Sequence, residues 1–371
     1  MSTVAPTPQR LSDPRIPVTL LTGFLGVGKT TLLNEILEDA TSGRIAVLVN
    51  EFGEAGLDHD LIETIDGDVT LMQSGCLCCS IRGDLSETIG GLLARRHSGD
   101  LSFDRIVIET TGLADPGPIV QTLLVDRMLA RNVRLDGVVT LADAANGPGT
   151  LDAQFEAVAQ VALADLIVLT KTDLVTPDAA SAIDARLKGL NATAQILHKG
   201  ADDIKPGTLW GLNSIRADAP QDVAVAWTSP RDTSRDPLAN LSGLAPAKTA
   251  PLAQTPHDAR IASVSLILDE PLEDAVFDRW LNTLIGLRGP DILRVKGIVF
   301  LKGIEAPFVF HGVQHIFDAP IALPNWSGDD RRTRIVVIAR DLSKPELQRS
   351  FDMLRAGQSK APDGAIAGGY L

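Results

Sequence analysis

The chain has 371 residues, and at roughly 150 residues per domain that length suggests about two domains, each able to bury a core without disulfides. Its 34 Lys and Arg against 47 Asp and Glu leave a formal charge of -13, and its aromatic residues are 10 Phe, 4 Trp and 1 Tyr; nucleic acid is excluded as a main partner. The 44% apolar and 22% charged content, with 32 Gly and 22 Pro spread without period, excludes fibrous and wholly disordered chains.

Residues 1–15 hold Pro and polar residues where a signal peptide needs an apolar run, and they are expected to form a disordered N-terminus. No apolar run reaches the ~18 residues of a membrane span, so a cytoplasmic protein without membrane contact is expected. Strands are predicted at 16–22, 44–50, 69–73, 105–109, 135–141, 166–170 and 194–197, with amphipathic helices at 29–39, 84–96 and 177–190. Buried strands alternating with helices predict an α/β domain over 16–216, a mostly parallel sheet with helices on both faces. Residues 217–258 read as a Pro-rich linker, the alternative being an irregular packed part of the first domain. A β-α-β-β-β-α order follows: strands at 261–268, 292–301, 308–317 and 334–339, and helices at 272–287 and from 344. It predicts a small α+β domain over 259–356 with helices on one face, before a flexible tail at 357–371.

The run Gly23, Phe24, Leu25, Gly26, Val27, Gly28, Lys29, Thr30 fits GxxxxGK[ST] between a strand and a helix, which identifies a P-loop NTPase. Glycines let the backbone curl so that its N–H groups, through Val27 and on to Thr31, face the α- and β-phosphates. Lys29 is expected to reach the β- and γ-phosphates, and the Thr30 hydroxyl to bind Mg²⁺. In ETTG, Glu109 ends an apolar strand and is expected to hold Mg²⁺ or its water shell, while Gly112 allows a switch loop to donate an N–H near the γ-phosphate. Thr170, Lys171, Thr172, Asp173 end another strand. The Lys171 stem suits the face of a purine, and the Asp173 carboxylate accepts from N1 and N2 of guanine, favouring GTP over ATP.

All three cysteines lie in Gly75, Cys76, Leu77, Cys78, Cys79, so no long-loop disulfide framework is possible. CxC spacing lets two thiolates converge on Zn²⁺ or Co²⁺, with Glu51, a water or a second chain completing an open shell. Redox sensing and simple packing are the other readings of these thiols. His311 and His315, four apart, are expected on one face of a strand, serving either metal binding or packing. In a parallel sheet ligands bind beyond the carboxyl ends of the strands, which should gather Gly23, Glu51, Cys76, Glu109 and Lys171 on one edge. Residues 50–60 and 74–82 are then the expected nucleotide-responsive loops.

With GFLGVGKTT at 23–31, NEFGE at 50–54, GCLCC at 75–79, ETTG at 109–112 and TKTD at 170–173 in order, the chain resembles the CobW family of metal-handling P-loop GTPases. ILRVKGIVFL and FHGVQHIFD resemble that family's carboxy-terminal domain. The resemblance implies weak, metal-responsive GTP hydrolysis with Mg²⁺. It also implies Zn²⁺ or Co²⁺ binding at Cys76, Cys78 and Cys79 near Glu51, and delivery of the metal to a client protein or cofactor pathway. Apart from the resemblance, pairing of two chains across the thiol loops is expected as a homodimer in the GTP and metal state. Cobalt supply for cobalamin synthesis and a redox or regulatory switch are the alternatives. Two departures stand out: Thr170 replaces the Asn of many GTPases, an expected loss of one amide contact, and no His-rich stretch is present.

Overall fold

The computed structural model describes residues 13–39, 41, 43–50, 62–65, 69–74, 81–212, 219–228, 257–317 and 320–358. In the first part β1 (Ile16–Gly23), α1 (Lys29–Glu38), β2 (Ile45–Asn50), β3 (Ile62–Ile65), β4 (Val69–Ser74), α2 (Ile81–Ser98), β5 (Arg105–Glu109), α3 (Gly117–Val125) and α4 (Arg127–Asn132) lead to β6 (Val133–Asp143). Then come α5 (Gly147–Ala153), α6 (Phe155–Leu163), β7 (Leu166–Thr170), α7 (Pro177–Leu190) and β8 (Gln195–His198). The eight strands lie in the order β3-β4-β2-β5-β1-β6-β7-β8, all neighbours parallel except the edge pair β3–β4.

Strand alternation divides the apolar side chains between two cores. Leu20, Leu48, Ile108, Val138 and Ile167 face α2, α3 and α6, whereas Leu21, Val47, Val107, Val139 and Val168 face α1. Helices therefore cover both faces, as the apolar runs predicted. Local chemistry sets the helix starts. Asp126 caps α4 by accepting from Met128 N and Leu129 N, and Thr176 caps α7 by accepting from Ala179 N with Pro177 at the first turn.

The second part contains α8 (Gln221–Thr228), β9 (Ile261–Leu268), α9 (Asp274–Arg288), β10 (Ile292–Val299), β11 (Phe308–Val313), β12 (Ile316–Phe317), β13 (Ile321–Ala322), β14 (Thr333–Arg340) and α10 (Lys344–Gln358). Its sheet is antiparallel, in the order β12-β11-β10-β14-β9 with β13 beside β11. On one face Phe277, Trp280 and Leu284 of α9 meet Leu347, Phe351 and Leu354 of α10 over Val295, Ile335 and Val337. The other face is covered too. Leu293, Val336 and Ile338 join the core of the first domain, while Ala224 and Trp227 of α8 pack on Ile298 and Val309. The helix α8 falls inside the Pro-rich stretch 217–258, and residues 229–256 lie outside the described residues.

Charge also joins the two sheets. Asp165, one residue before β7, accepts from Arg294 and from Lys296 Nζ (2.8 Å) of β10, and the three side chains are 1–3% exposed. Its other oxygen accepts from Val138 N at 3.0 Å, and Arg294 Nη1 donates to Leu163 O at 2.8 Å. Among the described residues no helix is long and apolar enough to cross a membrane.

Candidate functional site

The strand order itself assembles the site. β1 lies between β5 and β6, with Leu21 opposite Glu109 and Gly23 opposite Leu141, so the loop leaving β1 emerges between the ends of both neighbours. Gly23, Gly26 and Gly28 have φ of 141°, 69° and 96°, and Gly28 caps α1. At Gly23 a β-carbon would sit 2.5 Å from Leu141 O, so only glycine allows this approach. Lys29, 9% exposed, folds back across the loop and donates to Gly23 O (2.8 Å) and Phe24 O (3.0 Å). Its ammonium group is thereby held against the glycine-shaped loop, and a lysine beside such backbone is a cradle suited to phosphate. Thr31 is exposed at the start of α1.

The Thr30 hydroxyl donates to Glu109 Oε1 at 3.0 Å, which brings together two hard oxygen donors from α1 and β5. Glu109 is 6% exposed, and Thr110 behind it is tied to β1 through Leu21 O (3.0 Å) and the Thr22 hydroxyl (2.8 Å). Gly112 presses on the phosphate loop: a β-carbon there would be 2.5 Å from Leu25 N. Gln160 of α6 donates through Nε2 to Gly112 O (3.1 Å) and Ala114 O (3.0 Å) of the same loop.

At the end of β7 the Thr170 hydroxyl donates to Val27 O at 2.9 Å and Ala142 O at 3.2 Å, so a threonine still ties this strand to the phosphate loop. Lys171 has φ of 57°, and its Nζ is held 2.7 Å from Asp143 Oδ2. Asp143 also accepts from Ala145 N and Asn146 N. Burial pushes the Asp143 carboxyl up, but Lys171 and the Asn146 and Ala145 amides outweigh it and hold the carboxyl below the usual range. Asp173 is exposed on the turn that follows, and the Thr172 hydroxyl links that turn to Lys199 O at the end of β8. A cavity of about 220 Å³ opens between these parts, lined by Phe24, Val27, Leu141, Asp143, Gln160 and Lys171.

The structure thus gathers Gly23, Gly26, Val27, Gly28, Lys29, Thr30, Glu109, Gly112 and Lys171 at the carboxyl edge of the sheet. Glu51, Cys76, Cys78 and Cys79 lie outside the described residues. The strands that lead to them are described: β2 ends at Asn50 in register with Ser74, the last residue of β4, and Val49 pairs with Glu109. His311 and His315 do not share a strand face. Gln314, with φ of 57°, turns the chain between β11 and β12, so that His311 meets Trp227 while His315 approaches Gln121 of α3. Among the described residues no three His, Cys, Asp or Glu side chains gather to hold a metal.

Sequence reasoning missed Asp143 and Gln160. The first ends a strand like any solvated carboxylate. The second left a trace, an amide in the otherwise apolar run AVAQVAL.

Residues 17–198 match the family described as CobW/HypB/UreG, nucleotide-binding domain, and residues 261–355 match the cobalamin synthesis protein cobW C-terminal domain. The chain is 34% identical to the zinc chaperone YjiA of Escherichia coli strain K12, over 92% of this chain and 99% of the relative. It is 32% identical to zinc-regulated GTPase metalloprotein activator 1 of Schizosaccharomyces pombe, over 82% of this chain and 77% of the relative. The crystal structure of the Zn(II)-bound YjiA GTPase from E. coli superposes with a TM-score of 0.70 at 31% identity, covering 92% of this chain and 99% of that one.

Proposed function

The chain belongs to the CobW family of P-loop GTPases, and from that premise we propose that it is a GTP-dependent zinc chaperone. GTP binding and hydrolysis at the phosphate loop would control a zinc site at Cys76, Cys78 and Cys79, completed by Glu51, and the ion would pass to a client protein. The observation that carries this reading is positional. The strand leading into the thiol run ends on the same sheet edge as the phosphate loop, Glu109 and Lys171. Relatives described as zinc chaperones support zinc as the cargo.

In the proposed mechanism the loop amides bind the α- and β-phosphates and Lys29 the β- and γ-phosphates, and the Lys29 ammonium stabilises charge that develops there during hydrolysis. Thr30 and Glu109 fit Mg²⁺ because both offer hard oxygens 3.0 Å apart. Bound there, Mg²⁺ would neutralise phosphate charge. Glu109 orients the ion's surroundings or the attacking water, and Gly112 lets its loop approach the γ-phosphate. Loss of that phosphate would relax the loops and open the thiol site. Leu25 and Leu113, 58% and 50% exposed at this edge, support pairing of two chains in the GTP and zinc state. Light scattering that gives only a monomer mass with zinc and a GTP analogue would remove the pairing.

Base selection tests the nucleotide half of the proposal. Asp173→Asn is expected to weaken GTP roughly 100-fold and to improve XTP, because xanthine offers an acceptor where guanine offers the N2 amine. Competition with a fluorescent nucleotide measures both affinities. Unchanged GTP affinity in the variant would remove Asp173 from base recognition.

A further inference from the structure

We propose that Gln160 is a positioning residue for GTP hydrolysis, clamping the loop after β5 so that it engages the γ-phosphate; the inference rests on the GTPase reading above. Gln160 is 1% exposed and sits in α6 between Ala159 and Val161, where burying an amide is costly unless its polar atoms are satisfied. Its Nε2 group donates to Gly112 O and Ala114 O, two carbonyls of the one loop that follows Glu109. Its own backbone carbonyl accepts from the Thr140 hydroxyl at 2.9 Å, which fixes α6 to β6. At the far end of the helix Arg294 holds Leu163 O, so the clamp is also referenced to the second sheet.

The geometry gives the clamp a direction. In a trans peptide the C=O and the following N–H point opposite ways, so holding Gly112 O on α6 turns the Leu113 N–H away from that helix. Gly112 is meanwhile pressed on Leu25 of the phosphate loop. The loop is therefore held both by the phosphate loop at Leu25 and by the Gln160 side chain, which sets its amides through two of its carbonyls. GDP lacks the phosphate that this loop addresses. Removing the clamp should therefore separate GTP from GDP, whereas a general packing defect would affect both.

The experiment uses the full chain, with Gln160→Met to remove the donors at similar volume and Gln160→Glu to face the two carbonyls with a carboxylate. For Gln160→Met, kcat for GTP is expected to fall about 10-fold to 100-fold, as for other small misplacements of reacting groups. The affinity for a non-hydrolysable GTP analogue should weaken, while that for GDP stays within about twofold of wild type, and Gln160→Glu should be the more damaged of the two. An unchanged kcat in Gln160→Met, or equal losses of GDP and analogue affinity, would overturn the proposal. Hydrogen exchange on the wild-type chain gives an answer that needs no variant. Slower exchange at residues 113–115 with the GTP analogue than with GDP supports the clamp, and equal exchange overturns it. A wild-type chain that does not hydrolyse GTP would overturn the GTPase reading itself, before any variant is compared.

Discussion

Lys29→Ala is expected to lower GTP turnover by about 10²-fold to 10³-fold at saturating GTP, the scale of losing one preorganised group aimed at developing charge. The structure gives the lysine two tasks. Its ammonium group carries the positive charge of the cradle, and its bonds to Gly23 O and Phe24 O tie the start of the loop to the start of α1. Alanine removes both, so the loop would lose its charge and a crosslink in one step. Lys29→Arg should not restore the rate, because a planar guanidinium cannot occupy the compact position of an ammonium group between two carbonyls. Phosphate release under saturating GTP and Mg²⁺ reads the effect, with the thermal midpoint confirming that the variant is folded. A loss smaller than about fivefold would contradict the assignment of the cradle as the reacting site.

Asp165→Leu is expected to produce the largest loss of stability, about 3–5 kcal/mol, because it strands two buried cations rather than removing a neutral contact. Arg294 and Lys296 are 2% and 3% exposed, and Asp165 lies against both. Lys296 also stands 4.9 Å from the Trp227 ring centroid, which offsets only part of its desolvation. Combining Asp165→Leu with Arg294→Met and Lys296→Met should recover much of the loss, since no charge is then left without its counter-ion. The same site gives a pH dependence. Burial alone pushes the Asp165 carboxyl up, but the Arg294 and Lys296 charges prevail and hold it below the usual range. Its stabilisation is therefore present above about pH 4, the value of an unfolded carboxyl, and disappears as pH falls through the lower folded value. Thermal denaturation from pH 7 down to pH 2 should show a shallower acid limb in Asp165→Leu than in wild type. A loss below about 1 kcal/mol at pH 7 would mean that the cluster is hydrated and contributes little.

The phosphate loop and the long strands were legible because their information is local. Glycines needed for φ above zero, a lysine one residue into a helix, and apolar runs of strand length each announce themselves within ten residues. The short helices α3 to α6 were not foreseen, since runs such as AVAQVAL fill helix and buried strand equally well. The edge strand β3 is four residues and is held by its neighbour β4 rather than by its own pattern. The turn at Gln314 defeated the face argument for His311 and His315: a left-handed residue other than glycine or asparagine gives little warning. Asp143, Gln160 and Asp165 were hidden for a different reason. Their partners Lys171, Gly112 and Arg294 are brought to them only by the folded sheet, so no window of sequence contains both ends.

The most direct test of the central claim is a zinc competition titration against a chromogenic chelator, with Mg²⁺ and either GDP or a non-hydrolysable GTP analogue, on wild type and Cys78→Ala. Coupling between the phosphate cradle and the thiols predicts tighter zinc binding with the GTP analogue than with GDP, and loss of that difference in Cys78→Ala. Equal zinc affinity in the two nucleotide states would show that the thiols and the nucleotide site are uncoupled, and would contradict the chaperone mechanism.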